Sequence, residues 1–195
     1  MIPSRQNLKI LLVRHAPVDP PGHLYGSTDA GIEGVSSPIS KSLYSRLSHC
    51  QAFYCSPALR CTKTYQSVFS EKPMPFQIHE FWEQDFGDWE GLPYGNIPDQ
   101  GVLSGQDLVQ FSPPNGESFL ELCHRTQPPF LKIISETKAE EIAIFTHAGV
   151  IRSFLALALG SKEAALKFSV DNLSITGMQA LSGGQFSISF VNQTF

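Results

Sequence analysis

Hydrophobic residues form short runs along this chain, and amphipathic stretches separate them. The run Leu8-Lys9-Ile10-Leu11-Leu12-Val13 is mostly aliphatic, which is typical of a strand buried on both faces of a sheet. Shorter apolar segments at 51–55, 76–79 and 141–145 predict further strands. The segments 174–181 and 185–191 alternate in polarity and flank Ser182-Gly183-Gly184, which predicts a closing hairpin.

Helices are predicted between these strands. Leucines one turn apart predict a helix around 40–47. Ser56-Pro57 predicts the start of a second helix, with Ser56 as N-cap and Pro57 at the first helical position. Two more are predicted over 117–134 and 150–159, the last ending at Gly160. Because strands alternate with helices, we predict an α/β fold: a three-layer α/β/α sandwich with a mostly parallel sheet and helices on both faces.

Residues 91–116 interrupt this alternation. The segment is rich in Gly, Pro, Asn and Gln, and its only periodic signal is one helical turn near 107–108. Long irregular connections in compact domains are usually functional lids or disordered segments. We therefore expect residues 1–195 to form a single domain with an irregular lid insertion at about 91–116.

Composition narrows the class of protein. The chain has 195 residues, 42% of them hydrophobic and 16% charged, with a net charge of −4. These values argue against a disordered chain and against a basic nucleic-acid-binding protein. The longest apolar stretch, about 154–159, is far shorter than the roughly 20 residues that span a bilayer. Four cysteines without a C-x-x-C pair favour reduced structural thiols in a cytoplasmic protein. The oligomeric state stays open, with a homodimer as one option.

Cationic and cationisable side chains follow three of the predicted strands. His15 and Arg14 lie at the end of the first strand, Arg60 lies just beyond the second, and His147 follows the strand at 141–145. The carboxyl ends of parallel strands meet at one edge of a sheet, where ligands bind. The helix predicted over 150–159 follows His147, so the backbone N–H groups of Ala148 and Gly149 would face the same crevice. This combination predicts a site for a phosphoryl group.

Each of these residues also has a purely structural interpretation. Histidines at strand ends often bond backbone carbonyls, and Arg60 could be an exposed helix residue. A zinc site made of His15, His147 and Glu83 is conceivable, but two adjacent arginines would oppose a divalent cation. The joint placement at three strand ends favours the phosphoryl site. The remaining histidines are interpreted as surface or structural residues: His23, His49, His79 and His124.

Recognisable motifs surround the candidate residues. They are Leu12-Val13-Arg14-His15-Ala16, Cys55-Ser56-Pro57-Ala58-Leu59-Arg60-Cys61-Thr62-Lys63-Thr64, Phe81-Trp82-Glu83-Gln84-Asp85-Phe86-Gly87-Asp88-Trp89-Glu90-Gly91, Gly116-Glu117-Ser118 and Thr146-His147-Ala148-Gly149-Val150-Ile151-Arg152. In content and order these blocks resemble the motifs of the histidine phosphatase, or phosphoglycerate mutase-like, superfamily. The resemblance extends from residue 8 to about 155 and implies phosphoryl-transfer chemistry on a small-molecule phosphate ester, with no metal and no other cofactor.

The chain departs from the family pattern directly after His15. Family members commonly carry Gly-Glu-Thr and then an Asn there, whereas this chain has Ala-Pro-Val-Asp-Pro-Pro at 16–21. The asparagine that supplies one phosphate contact in the family is therefore missing from this segment. The segment 23–29, His-Leu-Tyr-Gly-Ser-Thr-Asp, resembles the branch that contains α-ribazole phosphatase, a cobalamin-assembly enzyme.

The resemblance implies a role for each candidate residue. His15 would attack phosphorus and carry the phosphoryl group. Arg14 and Arg60 would bind the non-bridging oxygens, and His147 with the amide of Ala148 would complete the phosphate site.

The resemblance also implies that Glu83, four residues before Gly87, acts as general acid and then as general base. The structural alternative for this segment is a solvated acidic loop. Neighbouring aromatic side chains would exclude water from the Glu83 carboxyl group: Phe81, Trp82 and Phe86.

Charge near the predicted lid bears on the substrate. Residues 64–124 contain Lys72 as their only Lys or Arg, against ten acidic residues. A second anionic group on the substrate would find few cations there, so a monophosphate with a neutral or aromatic body is favoured. A phosphoglycerate mutase-type phosphotransferase, a non-catalytic phosphoryl-ligand-binding protein and a metal-dependent hydrolase remain open. The candidate contacts to the substrate body are Tyr25, Trp89, Tyr94 and Phe111.

Overall fold

A computed structural model describes residues 7–195. Its six-stranded sheet has the order β5-β4-β6-β1-β7-β8, and a separate two-stranded sheet pairs β2 with β3. Strands β5, β4, β6 and β1 are parallel, β7 runs antiparallel to β1, and β8 runs antiparallel to β7. The strands are β1 (Leu8–Arg14), β2 (Val18–Asp19), β3 (Gly31–Ile32), β4 (Ala52–Cys55), β5 (Phe76–Gln77), β6 (Glu141–Thr146), β7 (Ile175–Ala180) and β8 (Phe186–Gln193).

Six α-helices connect or flank these strands: α1 (Ser37–Leu47), α2 (Leu59–Val68), α3 (Gly105–Gln110), α4 (Phe119–Glu136), α5 (Ala148–Leu159) and α6 (Lys162–Leu166). The ends of α4 and α5 follow from local chemistry. The Ser118 side chain accepts the backbone N–H of Glu121, and the Glu121 carboxylate accepts that of Ser118, which is a capping box. At the C-terminal end of α5, Gly160 adopts the left-handed conformation that terminates helices.

Strand β1 shows why helices cover both faces of the sheet. Successive side chains of a strand point to opposite faces. Ile10 and Leu12 belong to the core cluster that contains α4 and α5, while Leu11 and Val13 belong to the cluster that contains α1 and α2. All four side chains are buried. The three-layer α/β/α sandwich with a mostly parallel sheet is therefore confirmed.

The start of α2 differs from the sequence prediction. The helix begins at Leu59, so Ser56 and Pro57 precede it, and the predicted cap is wrong. The Ser56 hydroxyl lies 2.9 Å from a ring nitrogen of His147. The N–H of Leu59 donates instead to the Asp29 carboxylate at 2.7 Å. A contact from 30 residues away thus replaces the local cap.

Several short elements also differ from the sequence prediction. The strand predicted over 76–79 ends at Gln77, and a 3-10 turn follows over His79–Phe81. The pair β2–β3 and helix α6 were not predicted, since each is too short to show a periodic pattern. The turn predicted near 107–108 is part of α3. That residues 91–116 act as a lid stays a prediction.

Candidate active site

The two histidines identified from the sequence lie together at one edge of the sheet. Strands β1 and β6 are parallel neighbours in a register that places Arg14 opposite Thr146. His15 and His147 are the next residues, and the His15 N–H donates to the Thr146 carbonyl at 3.0 Å. The ring centroids of the two histidines are 5.1 Å apart. Adjacent strands that end at the same level therefore bring both imidazoles to one place.

The hydrogen bonds of His15 fix its tautomer. Its Nδ1 lies 2.7 Å from the carbonyl oxygen of Ala16. A carbonyl only accepts, so Nδ1 carries the proton and Nε2 carries a lone pair. The backbone around the ring is fixed as well: the Ala16 N–H donates to Thr64 Oγ1 at 2.8 Å, and Asn172 Nδ2 donates to the His15 carbonyl at 2.9 Å.

Both histidines are held in the neutral state. Burial, followed by the positive charges of Arg60 and Arg14, keeps the pKa of His15 well below 6.5. The pKa of His147 is likewise well below 6.5, mainly because of burial and then because of Arg60. The unprotonated Nε2 of His15 is therefore available as a nucleophile at neutral pH.

Arg60 is fully buried and forms three hydrogen bonds. Its Nε donates to His147 Nδ1 at 3.1 Å, its Nη1 to the Thr28 carbonyl at 2.9 Å, and its Nη2 to the Gly26 carbonyl at 2.6 Å. Because arginine only donates, His147 accepts at Nδ1 and carries its proton on Nε2, which donates to Ser56 Oγ. Arg60 and His147 thus form one hydrogen-bonded unit.

Arg14 presents a donor without a partner. Its Nη1 donates to the Val170 carbonyl at 2.6 Å. Its Nε is buried and has no hydrogen-bond partner within the part of the chain that the structure describes. An unsatisfied buried donor is costly, and more so when the group is charged. An anionic ligand next to Arg14 would supply the missing acceptor.

Glu83 lies at the N-terminal end of α5. Its side chain is only 8% exposed. One carboxylate oxygen accepts the N–H of Gly149 at 3.1 Å, and the other accepts the N–H of Gln84 at 3.0 Å. A side chain at position 149 would collide with this carboxylate, so the glycine is required there. The Gly149 amide is therefore occupied by Glu83, while Ala148 faces the pocket.

A pocket of about 390 Å³ opens over these groups, which is within the range of small-molecule sites. Six of the predicted site residues line it: Arg14, His15, Tyr25, Glu83, Tyr94 and Ala148. Arg60 and His147 are fully covered and do not line the pocket.

Several lining residues were not identified from the sequence. His23, which was interpreted as a surface or structural residue, lines the pocket. The signal for this position was the neighbouring Tyr25-Gly26 segment, which resembles the α-ribazole phosphatase branch. Arg152 and Asn172 also line the pocket. Arg152 lies one helical turn after Ala148 on α5, a spacing that the sequence already contains, whereas Asn172 reaches the site only through the tertiary fold.

Trp89 and Phe111 lie outside this pocket. Their rings stack with centroids 5.6 Å apart, and both line an adjoining, largely apolar cavity of about 650 Å³. Gln84, Phe86 and Arg152 line both cavities. Contact of Trp89 and Phe111 with a substrate therefore requires a ligand that extends into the second cavity.

The zinc alternative does not fit the geometry. Over residues 7–195, no group of three or more His, Cys, Asp or Glu side chains is placed to hold a metal ion. Both nitrogens of His147 and one of His15 are engaged by protein groups.

None of the helices in the described range 7–195 has the length and apolar character needed to cross a membrane.

Comparison with known proteins agrees with the geometry. The family model of the histidine phosphatase superfamily (branch 1) matches residues 10–194. A bifunctional protein of Mycobacterium tuberculosis is 28% identical over 116 residues, which are 57% of this chain and 32% of that protein. The matched part thus spans about a third of the length of that relative.

Two further proteins match most of the chain. The adenosylcobalamin/alpha-ribazole phosphatase of Salmonella typhimurium is 25% identical over 178 residues, which are 82% of this chain and 83% of that protein. A mycobacterial glucosyl-3-phosphoglycerate phosphatase shares the fold, with a TM-score of 0.82 and 18% identity over 96% of this chain and 99% of that chain. The match of the family model to residues 10–194 shows that this chain belongs to the histidine phosphatase superfamily, branch 1.

Proposed function

We propose that the protein hydrolyses small-molecule phosphomonoesters through a phosphohistidine on His15. The observation that carries the proposal is the state of this side chain. The Ala16 carbonyl holds the proton on Nδ1, and burial beside two arginines keeps the ring neutral. Nε2 is therefore a lone-pair nucleophile next to groups that attract a phosphate.

The reaction proceeds in two displacements. In the first, His15 Nε2 forms a bond to phosphorus while the ester P–O bond breaks, and Glu83 gives its proton to the leaving oxygen. In the second, water attacks the phosphohistidine, Glu83 takes a proton from that water, and the P–N bond breaks to release phosphate. Glu83 is protonated again at the end, and His15 is free.

Charge stabilisation comes from the arginines. Phosphoryl transfer depends mainly on positioning and on neutralising the non-bridging oxygens. Arg14 offers its unpaired Nε, and each Nη of Arg60 has a second N–H that bonds no described residue. The Ala148 amide completes the set together with His147, whose Nε2–H must first leave Ser56 Oγ. Because Arg60 and His147 are covered, neighbouring side chains must move when the phosphoryl group enters. With these cations the reaction proceeds without a metal ion.

The substrate that we propose is α-ribazole 5′-phosphate or a similar monophosphate with an aromatic body. The Salmonella relative carries α-ribazole in its name, and the His23–Tyr25 segment lines the pocket. The adjoining apolar cavity, with Trp89 and Phe111, offers room and stacking surface for the body of such an ester.

Hydrolysis of an aryl phosphate by the purified protein tests the activity. His15→Ala should lower kcat at least ~10³-fold, since removing a nucleophile abolishes the covalent route. His49→Ala, at an exposed histidine that does not line the pocket, is the matched control and should keep full activity. A chelator should leave the wild-type rate unchanged. Absence of turnover would favour a binding protein, and loss of activity with chelator would favour a metal-dependent hydrolase.

A further inference from the structure

Glu90 accepts an unusual number of backbone hydrogen bonds for a side chain in an acidic segment. Its carboxylate accepts the N–H groups of Gly26, Ser27 and Thr28 at 2.9–3.1 Å, and that of Phe86 at 3.0 Å. Three of these donors are consecutive, so the carboxylate holds one turn of chain. Glu90 is therefore not a solvated surface acid.

The turn that Glu90 holds is the one that binds Arg60. The carbonyls of Gly26 and Thr28 accept the two Nη groups of Arg60 at 2.6 and 2.9 Å. The N–H of Ser27 and the C=O of Gly26 belong to the same peptide group, and in a trans peptide they point in opposite directions. One peptide group thus bonds Glu90 on one side and the Arg60 guanidinium on the other.

Local sterics and ionisation support this arrangement. A Cβ at position 26 would collide with the Gln84 carbonyl and crowd both Glu90 and Phe86, so only glycine allows the close approach. Burial by itself would raise the pKa of the Glu90 carboxyl, but hydrogen bonds from Gly26, Phe86, Thr28 and Ser27 outweigh it and lower the pKa. The group is thus a carboxylate at neutral pH, and hydrogen bonds in a chain between opposite charges reinforce one another.

We infer that Glu90 is a positioning residue that holds the Arg60 guanidinium, through the turn Gly26–Thr28, in the orientation that binds a phosphoryl group. The inference rests on the proposed function for its effect on catalysis. Its structural part, the coupling of Glu90 to Arg60, is independent of that chemistry.

The test compares Glu90→Gln with Asp88→Asn. Both variants remove one negative charge from the same segment, but the Asp88 side chain is exposed and, among residues 7–195, accepts only from the Asn115 amide. Glu90→Gln should lower kcat/KM and weaken inhibition by orthovanadate, each about 10-fold or more, because small displacements of a positioning group cost 10–100-fold. Asp88→Asn should stay within twofold of wild type. Equal effects of the two variants would overturn the inference.

A double-mutant cycle separates positioning from general weakening. In an Arg60→Lys background, Glu90→Gln should cause little further loss, since the group that it positions is already gone. Multiplicative losses would contradict the coupling. Should Arg60→Lys fail to fold, the Arg60 Nε–H resonance gives the second readout. It should exchange with solvent faster in Glu90→Gln than in wild type, and an unchanged exchange rate would refute the inference.

The outcomes also separate this inference from the proposed function. One outcome is that wild type forms no phosphoryl adduct on His15, while Glu90→Gln binds vanadate more weakly and exchanges the Arg60 Nε–H faster. This outcome would refute the phosphohistidine mechanism and keep the positioning role of Glu90. An adduct on His15 that forms equally fast in wild type and Glu90→Gln would keep the phosphohistidine mechanism and refute the positioning role of Glu90.

Discussion

His15 and His147 differ from ordinary histidines because burial and neighbouring cations act in the same direction. Both effects lower the pKa, and the hydrogen bonds to the Ala16 carbonyl and from Arg60 then fix which nitrogen carries the proton. The sequence indicated both residues through their position after apolar strands. It could not show that Ser56 and Arg60 occupy the two nitrogens of His147, because those contacts span 91 and 87 residues.

A pH titration of the two imidazoles follows from this environment. Their NMR signals should show no protonation near pH 6.5. Below about pH 6.5 the unfolded chain therefore binds more protons than the folded chain. The free energy of unfolding thus keeps its full value above that pH and decreases as the pH falls toward the folded-state pKa. This loss of stability between pH 7 and 5.5 should be measurable by urea unfolding. Titration of either ring near 6.5 would contradict the buried environment.

Helix α2 carries Arg60, and its first turn depends on a distant carboxylate. Asp29 accepts the Leu59 N–H at 2.7 Å, as an N-cap side chain does. Asp29→Ala should therefore lower the free energy of unfolding by about 1 kcal/mol, measured by urea denaturation. Glu71→Ala, at an exposed acid after the same helix, is the control and should change stability by less than about 0.5 kcal/mol. Equal stability of the two variants would show that Asp29 does not cap α2.

The elements could be predicted where the apolar pattern is long. Strands β1 and β6, helix α4 and the β7–β8 hairpin appear where the sequence placed them. Helix α4 even continues through Pro128 and Pro129, as expected. The start of α2 was misplaced because the local cap signal at Ser56 competes with a tertiary contact to His147. Strands of two residues, such as β2 and β3, leave no pattern to detect.

The distribution of charge over the whole molecule favours one substrate class. The segment 64–124 carries ten acids and one Lys, and it supplies most residues of the apolar cavity beside the pocket. A second anion on the substrate would find Arg152 as its one cationic partner among the described residues that line this largely apolar cavity. We expect kcat/KM for α-ribazole 5′-phosphate to exceed that for 3-phosphoglycerate by at least ~100-fold, or about 2.7 kcal/mol. Comparable values would refute this substrate assignment, and isomerisation of 3- to 2-phosphoglycerate would favour a mutase.

The site as a whole was predictable only in part. Arg14, His15 and Ala148 line the pocket because they lie at strand and helix ends, whereas Glu83, which also lines it, could be predicted only from the motif. Asn172 could not be predicted, because it approaches the His15 backbone from 157 residues away.

Trapping the phosphorylated enzyme tests the central claim most directly. A short reaction with a ³²P-labelled aryl phosphate, quenched in denaturant at alkaline pH, preserves a phosphohistidine, which acid would hydrolyse. Peptide mapping should locate the label on His15. Glu83→Gln should accumulate more of it, because an aryl oxide leaves without a proton from Glu83 while the step that activates water is impaired. His15→Ala should carry no label. A label on another residue, or full turnover without any adduct, would contradict the account.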